Sequence, residues 1–168
     1  LHYVFDRWMR THYSHLPFER YADDAIVHCR TEAEAKAVWA ALSERMRACR
    51  LELHPYKTKV VFCKEDSRPG NYPNEQFTFL GYEFRPRSVK TRAGIVFIGF
   101  TPAVSVDAGK AMRAKIRGWR LHRHSDLSLE DIASTCNPIL RGWLQYYGRF
   151  HRSALGPIFR QLDYALAR

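Results

Sequence analysis

Two aspartates stand side by side at Asp23 and Asp24, inside the stretch ERYADDAIVHC of a chain whose formal net charge is +10. Adjacent carboxylates repel unless a cation sits close. Residues 20–22 and 25–27 both read as strand, which makes Asp23-Asp24 the tip of a hairpin. Asn-Gly or Asp-Gly would be favoured there, because such a turn takes positive φ. A structural turn would have used glycine, so something other than the turn selects the two aspartates. Other groups capable of chemistry are less telling. Cys29, Cys49, Cys63 and Cys136 are scattered with no pair at zinc-ligand spacing, and read as reduced, buried thiols. His122 and His124 have no cysteine or carboxylate partner at suitable spacing, and read as surface residues.

The elements that must position the aspartates follow from periodicity. The opening LHYVFDRWMRTHY lacks an initiator Met and puts Leu1, Val4, Phe5, Trp8 and Met9 on one helical face; this is expected of a piece cut from a longer protein. After the hairpin, Thr31 and Glu34 form a capping-box signature, and Val38, Ala41, Leu42, Met46 and Cys49 make an apolar stripe. His54-Pro55 breaks the chain, residues 59–63 resume as strand, and KEDSRPGNYPNE is a loop. FTFLGYEFRP and GIVFIGF read as a two-stranded ribbon joined by the basic RSVKTRAG. From Val104 the period turns helical. Residues 107–121 form a helix carrying Lys110, Arg113, Lys115, Arg117 and Arg120. A short helix follows, capped by Ser128, and a new one starts at Asn137-Pro138. Gly156-Pro157 precedes the last helix.

The bulk numbers exclude some classes. A hydrophobic fraction of 46% and an aromatic fraction of 14% over 168 residues indicate a packed core. No apolar run reaches a membrane span and no stretch has a secretory layout, so a cytoplasmic location is expected. A pI near 9.7 points to a polyanion partner. Divided at residue 105, the first part carries a net +4 and the shorter second part +6. The tail is therefore the denser in positive charge.

With these elements in place, YADD on a hairpin, then LELHPYKTK, FTFLGYEF and ILRGWLQYYGRF, resemble the reverse transcriptases encoded by group II introns. The first three stretches look like successive palm motifs; the last is similar to the thumb, or maturase domain X. The resemblance implies an α+β fold, with residues 1–104 as the C-terminal part of a polymerase palm (YADD hairpin, packing helices, primer-grip β-ribbon). Residues 105–168 would be an all-helical thumb bundle. It implies an RNA-directed DNA polymerase using deoxynucleoside triphosphates, an RNA template and a DNA primer. Catalysis of this type uses two divalent cations, Mg²⁺ or alternatively Mn²⁺, that activate the primer hydroxyl and stabilise the leaving pyrophosphate. Asp23 and Asp24 match the family's paired metal aspartates.

Other residues carry over by the same resemblance. Tyr21 and Ala22 match positions at the primer terminus or incoming nucleotide, a plain strand role being the alternative. Lys57 would face the triphosphate or donate a proton to pyrophosphate, or else be a solvated loop lysine. Tyr56 departs from the pattern, standing where an acidic residue is commoner. Gly81 and Tyr82 of the ribbon would touch primer. Arg141, Gln145 and Arg149 recur every four residues opposite an apolar face, and with Arg113 and Arg117 could grip RNA phosphates. Trp143, Tyr147 and Phe150 would be bundle core, and Gly142 would let two helices approach closely. The thumb of this family also binds intron RNA and assists splicing. A third metal aspartate and the fingers would lie upstream, so these 168 residues alone are expected not to polymerise. An exposed sheet edge would invite a truncation-induced homodimer. The runner-up is a non-catalytic RNA-binding maturase that keeps a polymerase scaffold, against which an intact YADD argues.

Overall fold

The apolar face expected at the start of the chain is the one that buries. In the computed structural model, which describes residues 1–68, 70–123 and 126–167, a π-helical turn at His2–Asp6 runs into helix α1 (Arg7–His12). Phe5 and Met9 are almost fully enclosed, with Val4 and Trp8 packed beside them. His124 lies outside the described residues. The chain divides into two compact units, Leu1–Val61 and Phe62–Arg168.

In the first unit, strands β1 (Phe18–Tyr21) and β2 (Asp24–Val27) pair antiparallel, and helix α2 (Glu32–Ala48) follows. The α2 entry is capped as expected by Thr31, whose Oγ1 accepts from the Glu34 amide. Glu34 answers on the Arg30 amide, one residue outside a reciprocal capping box. Val38, Leu42 and Met46 bury one face of α2 against Phe5, Met9 and Leu16. Each such side chain contributes roughly 1.5–3 kcal/mol through burial. The Arg45 guanidinium donates to the Val4 carbonyl, which ties α2 to the opening turn.

The hairpin differs from the sequence expectation. Its tip is Ala22-Asp23, not Asp23-Asp24, because Tyr21 pairs with Asp24. The register that results puts Phe18 opposite Val27, both packed on the core. A tip at residues 23 and 24 would have paired Val27 with Arg20. Register follows the buried face, and a slip would expose it.

In the second unit, the expected two-stranded ribbon is a three-stranded antiparallel sheet: β3 (Phe77–Phe79), β4 (Tyr82–Lys90) and β5 (Val96–Val104), in that order. FTFLGYEF is itself a hairpin. Leu80 and Gly81 both take positive φ, 51° and 76°, as a two-residue turn matching strand twist requires. Phe77 and Phe84 stack across it at 4.7 Å. Residues 59–63 form no strand.

Helix α3 (Val106–Gly118) begins where expected, capped by Ser105, but ends before Arg120, whose φ of 48° leaves the helix. The two expected helices after Ser128 are one, α4 (Leu129–His151), with Pro138 inside it. An interior proline costs about 3 kcal/mol. Here it is offset by a helix face that packs Leu140, Trp143, Leu144 and Tyr147 on Met112, Ile116, Leu155, Ile158 and Leu162. Ser128 and Asp131 complete a full capping box at its start. Helix α5 (Gly156–Leu166) closes the unit with Pro157 in its first turn. Among the described residues no helix is long and apolar enough to cross a membrane.

Candidate functional site

The hairpin tip holds four of the expected site residues within four positions. Tyr21 is 64% exposed, and Ala22, Asp23 and Asp24 are exposed as well. Neither aspartate side chain has a hydrogen bond or ion pair among the described residues. Ala22 bears a φ of 52°, the left-handed region that costs a residue with a Cβ roughly 1–2 kcal/mol.

What holds that backbone is a pair that sequence reasoning missed. Arg20 donates through Nε and one terminal nitrogen to the two oxygens of Asp6, at 2.6 and 2.7 Å. Its other terminal nitrogen donates to the Ala22 carbonyl, in the turn itself. Asp6 is buried, 8% exposed, and the Arg20 guanidinium holds its carboxyl down at about 2, with a weaker contribution from His2. The bidentate geometry is the strong form of a charge-assisted pair. Arg20, the one cation on β1 and three residues before Asp23, is thereby spoken for by Asp6. The signal available in the sequence was an acid inside the apolar helical pattern of VFDRWM.

The two tip aspartates present four carboxylate oxygens, the donor type that Mg²⁺ takes. Asp6 adds none, because both its oxygens are occupied by Arg20. No group of three or more His, Cys, Asp or Glu gathers at metal-binding range among the described residues. Lys57 is exposed on a loop of the same unit, whose Tyr56 and Lys57 amides donate to the His54 ring. Tyr56 is 90% exposed.

The ribbon residues lie in the second unit. Gly81 sits in the tight turn, where a Cβ would stand 2.6 Å from the Tyr147 hydroxyl oxygen. Its close neighbour is therefore a tyrosine of α4. Tyr82, expected at the primer, is 8% exposed, and its hydroxyl donates to the Tyr146 carbonyl. Its ring packs among Tyr146, Tyr147 and Phe150 at 5.2–5.5 Å. The Tyr146 hydroxyl returns a hydrogen bond to the Leu80 carbonyl at 2.9 Å, and the Ser105 amide takes the Gly81 carbonyl. FLGYEF and LQYYGRF, read as separate motifs, thus meet as one aromatic clamp.

Arg117, Arg141, Gln145 and Arg149 are exposed, and Arg113 is half-buried on α3. Among the described residues nothing lies within 4 Å of a Cβ added at Gly142, so the close helix approach expected there is not seen. Phe150 is 59% exposed at the rim of the clamp, with the Arg149 guanidinium over its ring. The four cysteines are unpaired, but only Cys136 is buried as expected; Cys29 and Cys49 are half-buried and Cys63 is exposed, and burial pushes the Cys29 and Cys136 thiols up.

Residues 1–84, half the chain, match the family model described as reverse transcriptase (RNA-dependent DNA polymerase). Residues 109–168 match that of the group II intron maturase-specific domain. The chain therefore belongs to the group II intron reverse transcriptase/maturase family. No curated protein and no solved structure gives a significant match.

Proposed function

We propose that this chain supplies the metal-holding hairpin and the thumb of an RNA-directed DNA polymerase that also binds intron RNA. The observation that carries the reading is the pair of exposed, unpaired carboxylates on a tip whose neighbouring arginine is committed to Asp6. Asp23 and Asp24 would hold Mg²⁺, or Mn²⁺ in its place; such a cation supplies Lewis-acid activation of the primer hydroxyl and of the leaving phosphate. The hairpin fixes both carboxylates on a rigid element. Tyr21 and Ala22 flank them on the side offered to primer or nucleotide, and Lys57 is free to meet the triphosphate. Gly81 and Tyr82 act on the primer by shaping the ribbon turn, since Tyr82 is enclosed. Arg113, Arg117, Arg141, Gln145 and Arg149 bind RNA. We take residues 1–104 as palm and 105–168 as thumb, a division supported by family matches that end at 84 and resume at 109. A third metal aspartate is called for, so the 168 residues are inactive alone.

The test is Mg²⁺-dependent extension of a DNA primer on an RNA template by the full reading frame that contains this chain. Asp23→Ala should lower extension by about 10³-fold or more, while RNA binding persists. An inactive, folded protein that still binds structured RNA overturns the polymerase reading in favour of a maturase without catalysis. Extension by the 168 residues alone overturns the third-aspartate requirement.

A further inference from the structure

The charges on one face of β4 are out of balance. Glu83, Arg85 and Arg87 alternate along the strand and so share a side of the sheet. A single carboxylate oxygen, Glu83 Oε2, serves both arginines, at 2.8 Å from Arg85 Nε and 3.1 Å from Arg87 Nη2. Arg87 is the more costly of the two. Its side chain is only 10% exposed, and its Nε is buried with no acceptor. Burial, and Arg85 beside it, push its guanidinium down from the usual arginine range.

The same three residues line a concavity of about 570 Å³ that Arg113 and His151 also line. Arg113 is half-buried and has no hydrogen bond or ion pair from its side chain among the described residues. Its guanidinium lies back along α3 over Gly109, about 3.5 Å from where a Cβ would stand. Three guanidinium groups and a single carboxylate therefore line one cleft, large enough for a nucleotide-sized ligand. Buried charge is stable only when paired. The missing counter-charge is an anion, and a planar guanidinium fork matches a phosphate oxyanion bidentately.

We infer that this cleft is a phosphate site that takes one backbone phosphate of bound RNA, held by the Arg113 fork together with Arg85 and Arg87. The choice of RNA over free phosphate rests on the proposed RNA-binding function; the anion chemistry does not. The cleft gathers Arg85 of the expected ribbon and Arg87, which the sequence pattern presented as the first residue of its basic connection and which lies inside β4.

Titrating a labelled RNA hairpin against the chain at several KCl concentrations tests it. Arg113→Gln should weaken binding about tenfold near 0.1 M salt and reduce the slope of log Kd against log salt by about 1. Arg113→Lys should keep the slope and lose part of the affinity, because the charge stays and the fork goes. Glu83→Gln should tighten binding several-fold, the opposite of what a merely structural loss would do. Inorganic phosphate should broaden its ³¹P resonance with the wild-type chain and not with Arg113→Gln. RNA binding with an unchanged slope in Arg113→Gln overturns the site. Phosphate binding that Arg113→Gln abolishes, without RNA binding by the wild type, overturns the RNA source and the RNA-binding function with it. If RNA binds and phosphate does not, a slope reduced by about 1 still upholds the site.

Discussion

The chain contains two tight hairpin turns that begin from nearly the same backbone and are put to opposite use. Ala22 has a φ of 52° and Leu80 a φ of 51°. The first turn is held from one side by a single charged clamp, Arg20 on Asp6, and leaves its two carboxylates in solvent without partners among the described residues. The second is held at three points, by the Tyr146 hydroxyl, the Ser105 amide and the ring of Tyr147. A turn that must present charge cannot be packed over, so its strain is balanced behind it by hydrogen bonds. A turn that only has to hold shape can be backed by aromatic rings.

The largest effect that would break this comparison is at Gly81. Gly81→Ala adds a Cβ 2.6 Å from the Tyr147 hydroxyl oxygen at a φ of 76°. Strain in φ and overpacking each cost on the order of 1–3 kcal/mol, so a loss of about 2–4 kcal/mol is expected. Urea unfolding followed by the near-ultraviolet circular dichroism of the tyrosine cluster measures it. A loss below 0.5 kcal/mol would mean that the second turn is as loosely held as the first, on the order of an ordinary surface change.

Next in size is the clamp. Asp6 has its carboxyl held at about 2, against 3.8 when free. A depressed acid contributes stability that is fully present above its unfolded value and is lost as pH falls through the folded one. The window is therefore between about pH 4 and pH 2. The contribution is about 1–2 kcal/mol once solvent screening is allowed for. Protection of the β1 and β2 amides from hydrogen exchange, taken relative to the intrinsic rate at each pH, should fall through that window. In Asp6→Asn the step should vanish, with exchange already fast at neutral pH. If Asp6→Asn leaves exchange unchanged, the turn is held by something other than Arg20.

The two turns also differ in what the sequence disclosed. FTFLGYEFRP reads as one continuous strand and its Leu80-Gly81 turn escaped, whereas YADD identifies the first turn, because a pair of aspartates between two short strands is a local signal. The helix start at Thr31 was legible for the same reason: cap and first turn are neighbours in sequence. What else escaped was non-local. The register of β1 on β2 is set by Phe18 and Val27 meeting a core built by α2, which no window around the turn contains. Asp6 and Arg20 are 14 residues apart, and neither is unusual alone. Pro138 argued for a helix boundary locally, and packing against Ile116 and Ile158 overruled it. Tyr82 was placed at the primer by its motif, and only the approach of α4 reveals that it is enclosed.

The smallest effect is the most discriminating. Ala22→Gly relieves a left-handed conformation worth roughly 1–2 kcal/mol and adds backbone entropy costing about 0.5–1 kcal/mol. The net expectation is a gain of about 0.5 kcal/mol in the stability of the hairpin, read by the same amide exchange. Extension by the full reading frame should nevertheless fall a few-fold, because a glycine tip holds Asp23 and Asp24 less firmly. Stability and activity would then move in opposite directions at Ala22, whereas Gly81→Ala should lower both. Were Ala22→Gly to lower stability, the positive φ would not be a strain the clamp sustains, and the first turn would need no explanation beyond its own geometry. A rise in both quantities would show that the clamp, and not the alanine, sets the position of the carboxylates.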